Sequence, residues 1–385
     1  MSADRMKVVT FLRNATGEVV KEQIRIAEIP VLRYSADERA RYLIRAWREA
    51  GLSPRRDEVG NVIAEVRGTN PSRRPTLIVS AHLDSVFHGL KGIKVRRRGS
   101  VLHAPGICDD AAGVADLIVF ARALERFAVR FAGDVVFVGS VGEESGHEVW
   151  GMEHFWKKAR YKKPFFLGID GGIPGRIVTR ALSTWSPTIT VTGPGGHSYV
   201  CFGRPNPVHV LSRLVVKMTK MKANRAKDAI YNANMVSGGT ASNVIPEVAS
   251  VTLNVRSSDP RELERMKKKV LGFVKEALRD ELRWATSEKR LSYEISAHGR
   301  PGGRIREDHP LVVAAAKALK SEGLKVKYTA SSTDANMPSS LGIPAVTISA
   351  GGRAENMHSL SEWHDMKGRT RELAALARMV FDVST

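Results

Sequence analysis

Thr76-Leu-Ile-Val-Ser-Ala-His-Leu-Asp-Ser85 is the stretch on which the fold can first be read. Thr76 to Ser80 form a short apolar, partly β-branched run of the kind that lies buried in a sheet, and polar side chains, His82 and Asp84, follow at once. The same order recurs along the chain. Asp134 to Val141 runs into Glu143-Glu144, Phe165 to Ile169 runs into Asp170, and Ala345 to Ser349 leads toward His358. Amphipathic stretches lie between these runs: Val114, Leu117, Ile118, Ala121 and Leu124 make one helical stripe, with Tyr42, Leu43 and Trp47 marking an earlier helix and Leu373, Leu376 and Val380 a last one. Strands alternating with helices predict an α/β fold, a mostly parallel sheet flanked by helices.

The middle of the chain has another rhythm. Thr188 to Thr192 reads as a strand, Pro207 to about Met221 as a helix, Val248 to Val255 as an alternating strand, and Ser292 to Ser296 as a closing one. A second helix opens at Asp259-Pro260, where Asp259 suits the N-cap and Pro260 the first helical position. The order β-α-β-β-α-β predicts a small α+β domain over residues 184–298, inserted into a discontinuous domain of residues 1–183 and 299–385. Ala297 to Gly303, with Pro301, reads as the return hinge.

Composition narrows the classes of function. With 385 residues, 43% hydrophobic and 26% charged, the chain is neither disordered nor fibrous. Two cysteines are too few for a disulfide framework, Met1 to Leu12 holds no apolar leader core, and no apolar run is long enough to cross a bilayer, so a cytoplasmic protein with no membrane partner is expected. The net charge of +20 raises nucleic acid or an anionic substrate as partners. Nucleic acid is the remote reading: Lys267-Lys268-Lys269 falls on the solvated side of a helix, no zinc finger or RNA-binding motif is present, and 6% aromatics is low for base stacking. Arg96-Arg97-Arg98 reads as a hairpin, either a solvated turn or an attractor of acidic peptides.

The acidic and imidazole side chains gather where strands end, and open α/β sheets place their sites there. His82 and Asp84 are two apart and share a side of the strand, so the carboxylate can orient the imidazole. Gly106-Ile-Cys-Asp-Asp-Ala-Ala-Gly113 opens an apolar helix with paired acids, which serve either as helix caps or as a bridge between two cations. In Gly142-Glu-Glu-Ser-Gly146 the adjacent acids face different ways, so one can hold metal and the other a water. Oxygen and imidazole donors without thiolate suit catalytic Zn²⁺ or a similar ion.

In this order the motifs resemble the dinuclear zinc peptidase and deacylase family that includes tripeptide aminopeptidase, glutamate carboxypeptidase, aminoacylase and acetylornithine deacetylase. The likeness runs from about residue 60 to the C-terminus. It implies two Zn²⁺ per subunit, with Co²⁺ or Mn²⁺ as substitutes, held by His82, Asp109, Glu144, Asp170 and His358, with Asp109 as the bridge. It makes Asp84 the orienter of His82 and Glu143 the general base for a metal-bridging water. In the inserted domain it implies that His197 helps hold the oxyanion from a partner subunit and that Asn243 and Arg256 hold a substrate carboxylate, with a homodimer formed through this lid. Ser332 to Asn336 resembles a family segment that faces the substrate pocket, where Asp334 either meets a substrate ammonium group or hydrogen-bonds its own loop. Many relatives carry Lys where this chain has Ala111, which bears on substrate detail. The activity implied is amide hydrolysis of short peptides by an aminopeptidase or dipeptidase; the alternative is an N-acyl amino acid deacylase or carboxypeptidase.

Overall fold

The computed structural model describes residues 3–32, 36–144 and 149–384. Ser145 and Gly146, the end of the paired-glutamate segment, lie outside the described residues. By contacts the chain divides into two compact units, residues 1–181 with 304–385, and residues 182–303.

The first unit is built on a nine-stranded sheet whose centre is the wholly buried strand Leu77–His82. It pairs in parallel with Val135–Ser140 on one side and Phe165–Ile169 on the other, and Ala345–Ile348 continues the parallel set. Toward the edges the pairing turns antiparallel, Val62–Val66 against Val135–Ser140 and Arg176–Ala181 against Ala345–Ile348. Side chains alternate across the sheet. Leu77, Val79 and Ala81 enter one core with the helices Ala111–Arg126 and Thr370–Ser384, whereas Ile78, Val136 and Val138 enter another with Trp150–Lys158. Burial on both faces is what continuous apolar strands require, and it confirms the α/β class. Because the central strands are parallel, their C-terminal ends share one edge, which gathers His82, Glu143 and Asp170 there.

A smaller antiparallel sheet in the same unit joins Arg353–Glu355, Trp363–Asp365, Val101–His103 and Arg96–Arg98, in that order. The basic triplet is indeed one arm of a hairpin.

The second unit is a four-stranded antiparallel sheet, ordered Ile230–Gly238, Val248–Ser257, Ser183–Thr192, Ser292–His298. Helices Pro207–Thr219 and Pro260–Trp284 share its core. Asp259 caps the second helix, accepting hydrogen bonds from the amides of Arg261 at 2.9 Å and Glu262 at 3.4 Å. The strand Ser183–Thr192 begins well before Thr188 because its alternating burial starts at Ser183. Among the described residues no helix is long and apolar enough to cross a membrane.

Candidate metal centre

Five of the expected side chains converge. His82 ends the central strand and sets its Nε2 2.9 Å from Oδ1 of Asp109. His358 sets its Nε2 2.9 Å from the other oxygen, Oδ2, and 3.0 Å from Oε1 of Glu144. Ligand atoms of His82, Asp109 and Asp170 lie within 4.8 Å of one another, as do those of Asp109, Glu144 and His358. Asp109 is the carboxylate common to both groups. Glu143 joins a further group with His82 and Glu144 on the same criterion.

Local backbone explains this aim. Asp109 precedes the helix Ala111–Arg126, joined to Asp110 by a cis peptide bond, and Asp110 is the helix N-cap, its carboxylate accepting from the Gly113 amide at 2.9 Å. The same carboxylate accepts from the His82 amide at 3.1 Å, tying the strand end to the helix start. Gly142 has φ +77°, and a Cβ there would fall 2.2 Å from the Trp150 ring, so only glycine can turn the chain into Glu143. His358 itself has φ +63°, the left-handed region that non-glycine residues seldom adopt.

Asp84 lies against both His82 and the paired glutamates. Its backbone oxygen lies 3.2 Å from His82 Nδ1 and its carboxylate 3.6 Å away, so the imidazole presents Nε2 to the cluster. That carboxylate also accepts from the amides of Glu143 at 3.2 Å and Glu144 at 2.8 Å.

The electrostatics fit cations. Burial pushes the Glu144 and Asp170 carboxyls up, and the nearby Asp109 charge adds to it. For Asp109 burial acts in the same sense, but hydrogen bonds from His358 and His82 outweigh it and hold the carboxyl below its ordinary range. Burial disfavours a charged His82, yet Asp109 and Asp84 lift the imidazole well above its usual value; Asp109 and Glu144 raise His358 to about 11. Three carboxylates clustered in the interior demand compensating positive charge, which bound cations would supply. Glu144 Oε1 is buried and makes no hydrogen bond despite its nearness to His358. A donor set of imidazole nitrogens and carboxylate oxygens with one shared carboxylate and one orphaned oxygen matches two divalent ions.

Sequence reasoning missed the supports. Glu362 is 1% exposed, and its carboxylate accepts from the amides of Gly106 at 2.8 Å, Cys108 at 2.8 Å and Asp109 at 3.3 Å, gripping the loop that aims the bridge. Arg176 donates to the backbone oxygen of Asp170 at 2.9 Å, and buried Arg39 donates to that of Leu83 at 3.1 Å. Glu and Arg are ordinarily exposed, so their residue types gave no hint of this role.

Asp334 bonds two strands rather than its own loop. Asp334 is 6% exposed, and one carboxylate oxygen accepts from the hydroxyls of Ser80 and Ser140. Burial raises its carboxyl to about 6, as befits an interior group. It braces two strands from within through that oxygen.

In the second unit, Gly196–His197 pairs with Val244–Ile245, so His197 and Asn243 lie on one short ribbon, and the Ser198 amide donates to the Asn243 oxygen at 2.9 Å. Both residues are exposed. Arg256 belongs to the neighbouring sheet, half-buried, with its Nε donating to Asn254 at 2.8 Å.

Comparison with known proteins bears on the same residues. The sequence profile of Peptidase family M20/M25/M40 matches residues 78–382, a span that includes all five side chains of the cluster. The chain belongs to this family. As an M20-family protein it is a metallohydrolase, a peptidase or amidohydrolase in the broad sense. It is 25% identical over 332 residues to the uncharacterized protein YqjE of Bacillus subtilis (strain 168), covering 83% of each chain. It is 23% identical over 337 residues to carboxypeptidase G2 of Pseudomonas sp. (strain RS-16), covering 84% of this chain and 77% of that one. The crystal structure of aminopeptidase PepT from Bacillus cereus ATCC 10987 shares its fold, with a TM-score of 0.81 at 19% identity, over 96% of this chain and 99% of the other.

Proposed function

We propose that this chain is a zinc-dependent peptidase of short peptides, an aminopeptidase or dipeptidase, acting in the cytoplasm as a homodimer joined through the inserted domain of residues 184–298. One observation carries the reading: a single carboxylate, Asp109, faces one imidazole with each oxygen, and Glu143 stands in the same cluster. His82, Asp109 and Asp170 would hold one ion and Asp109, Glu144 and His358 the other. Such a pair, when bound, activates water and polarises the scissile carbonyl.

The protein's own groups do the rest. Asp84 fixes the His82 tautomer and, through the two amides it accepts from, the backbone of the Glu143-Glu144 pair. Glu143 takes the proton of the attacking water and passes it to the leaving nitrogen. Its 5% exposure keeps that carboxylate out of bulk water. Arg256 and Asn243 hold the substrate carboxylate, and His197 steadies the developing oxyanion.

A panel of di- and tripeptides, with free or acetylated N-termini and added Zn²⁺, Co²⁺ or Mn²⁺, tests the assignment together with elemental analysis of the purified protein. Release of free N-terminal residues supports it. Cleavage confined to acylated substrates selects the second reading, a deacylase or carboxypeptidase, which the likeness to carboxypeptidase G2 and to succinyl-diaminopimelate desuccinylases favours.

A further inference from the structure

The small antiparallel sheet of the first unit carries arginines in register with the strands from which two ligand-bearing segments leave. Its cross-strand register sets Arg96 opposite His103, His103 opposite Trp363, and Trp363 opposite Glu355. Both ligand-bearing segments leave from this row. The chain runs from Glu355 to His358, and from His103 to Asp109 through the loop that Glu362, next to Trp363, holds by its amides. Arg96 is therefore two strand spacings, about 10 Å, from the strand that bears Glu362.

Alternation puts Arg96 and Arg98 on one face with Trp363 and Arg353, and the Arg353 guanidinium lies 5.9 Å from the Trp363 ring centre, as that face requires. Leu102 and His364, of opposite parity, are fully buried, so the face of Arg96 and Arg98 is the outer one. The acids on this face are engaged elsewhere: Glu355 pairs with Arg353, and Asp365 accepts from the Lys367 amide at 3.0 Å. Arg96 and Arg98 are exposed and make no ion pair among the described residues. Unneutralised guanidiniums on a rigid strand are suited to carboxylates, which they take as a planar fork.

We infer that Arg96 and Arg98 bind an acidic side chain of the substrate, so that the enzyme prefers peptides carrying Glu or Asp a few residues from the cleaved bond. The substrate part of this rests on the peptidase reading above; the recognition of carboxylate does not. An extended peptide advances about 3.4 Å per residue, so three or four residues cover the two strand spacings between Arg96 and the strand that bears Glu362.

The test uses the metal-loaded protein and tetrapeptides that differ only in a distal Glu or Gln, with labelled tetraglutamate and tetraglutamine as binding probes. The wild type should favour the Glu peptide about fivefold in kcat/KM, through KM, and bind tetraglutamate more tightly by a similar factor, since an exposed ion pair contributes about two- to fivefold. About 0.5 M NaCl should erase the preference by shortening the screening length. The double variant Arg96→Gln/Arg98→Gln should lose it while cleaving the Gln peptide normally. Arg97→Gln removes a charge from the opposite face and should keep most of it. Equal rates and equal binding for Glu and Gln peptides in the wild type would overturn the inference. So would a double variant that keeps the preference but aggregates, the mark of arginines that only guard an edge strand. If neither the tetrapeptides nor the di- and tripeptides are cleaved, the peptidase reading fails, and the tetraglutamate binding still decides the role of the arginines.

Discussion

Replacing Glu362 separates the ligands from the scaffold that aims them. In Glu362→Ala three buried amides, those of Gly106, Cys108 and Asp109, lose their acceptor at once. Each orphaned buried N–H costs about 1–3 kcal/mol, and the two contacts at 2.8 Å alone imply about 2–6 kcal/mol against the native loop. Glu362→Gln is the gentler form: it keeps the shape, but one oxygen becomes an NH₂ that faces an amide donor. Loss of such a support lowers metal affinity by about 10- to 100-fold, and because Asp109 belongs to both ligand groups the loss should fall on both ions. Zinc titration against a competing chelator, with metal content after dialysis, should rank wild type above Gln and Gln above Ala. Thermal unfolding of the metal-free proteins shows whether each variant folds, and should Ala fail to do so the Gln variant carries the test. A folded Glu362→Ala protein that held two zinc ions as firmly as the wild type would refute the reasoning.

Other perturbations probe separate parts. Glu143→Gln should keep both metals while kcat falls about 10²- to 10⁴-fold, the usual share of a general base; near-normal turnover would assign the base elsewhere. His364 is buried and neutral, Nε2–H donating to the Gly351 oxygen at 2.7 Å, and burial first, then Arg369, lowers its imidazole to about 3 from 6.5. Between those two values the unfolded chain binds a proton that the folded chain refuses, so stability present above pH 6.5 should drop by about 1.4 kcal/mol per pH unit on acidification. Urea unfolding of wild type and His364→Gln across that range should show the extra slope in the wild type alone. Arg369, fully buried, donates to Asp116 at 2.8 Å; Arg369→Leu should cost about 3–5 kcal/mol in urea unfolding, and the double change with Asp116→Leu should recover part of it.

What could be read ahead of the structure follows the range over which residues act. Leu77 to Ser80 and Val135 to Val138 had to be buried strands because an unbroken apolar run has no solvent face to offer, and parallel pairing then brought His82, Glu143 and Asp170 to a common edge. That His358 faces Asp109 itself, across 249 positions, came from family likeness; the strand-end rule reached only as far as a common cleft. The two readings of Asp334 could not be separated because Ser332-Thr333-Asp334 looks the same whether it faces a ligand or the interior, and the serines it bonds lie 254 and 194 positions earlier.

Glu362 was illegible for a different reason. Its partners are backbone amides, and an amide carries no mark of the residue that owns it. A buried carboxylate that accepts only from the main chain therefore leaves its trace in the loop's geometry, here the direction of Asp109, and none in the residue types around it. Arg39 and Arg176 do the mirror task, donating to main-chain oxygens of Leu83 and Asp170. The ligands of such a centre can be recognised as residue types in order, but the groups that hold them still are defined by shape. Substitution at Glu362, Arg39 or Arg176 should accordingly weaken metal binding without removing a single ligand, an effect that reading ligand motifs could not anticipate.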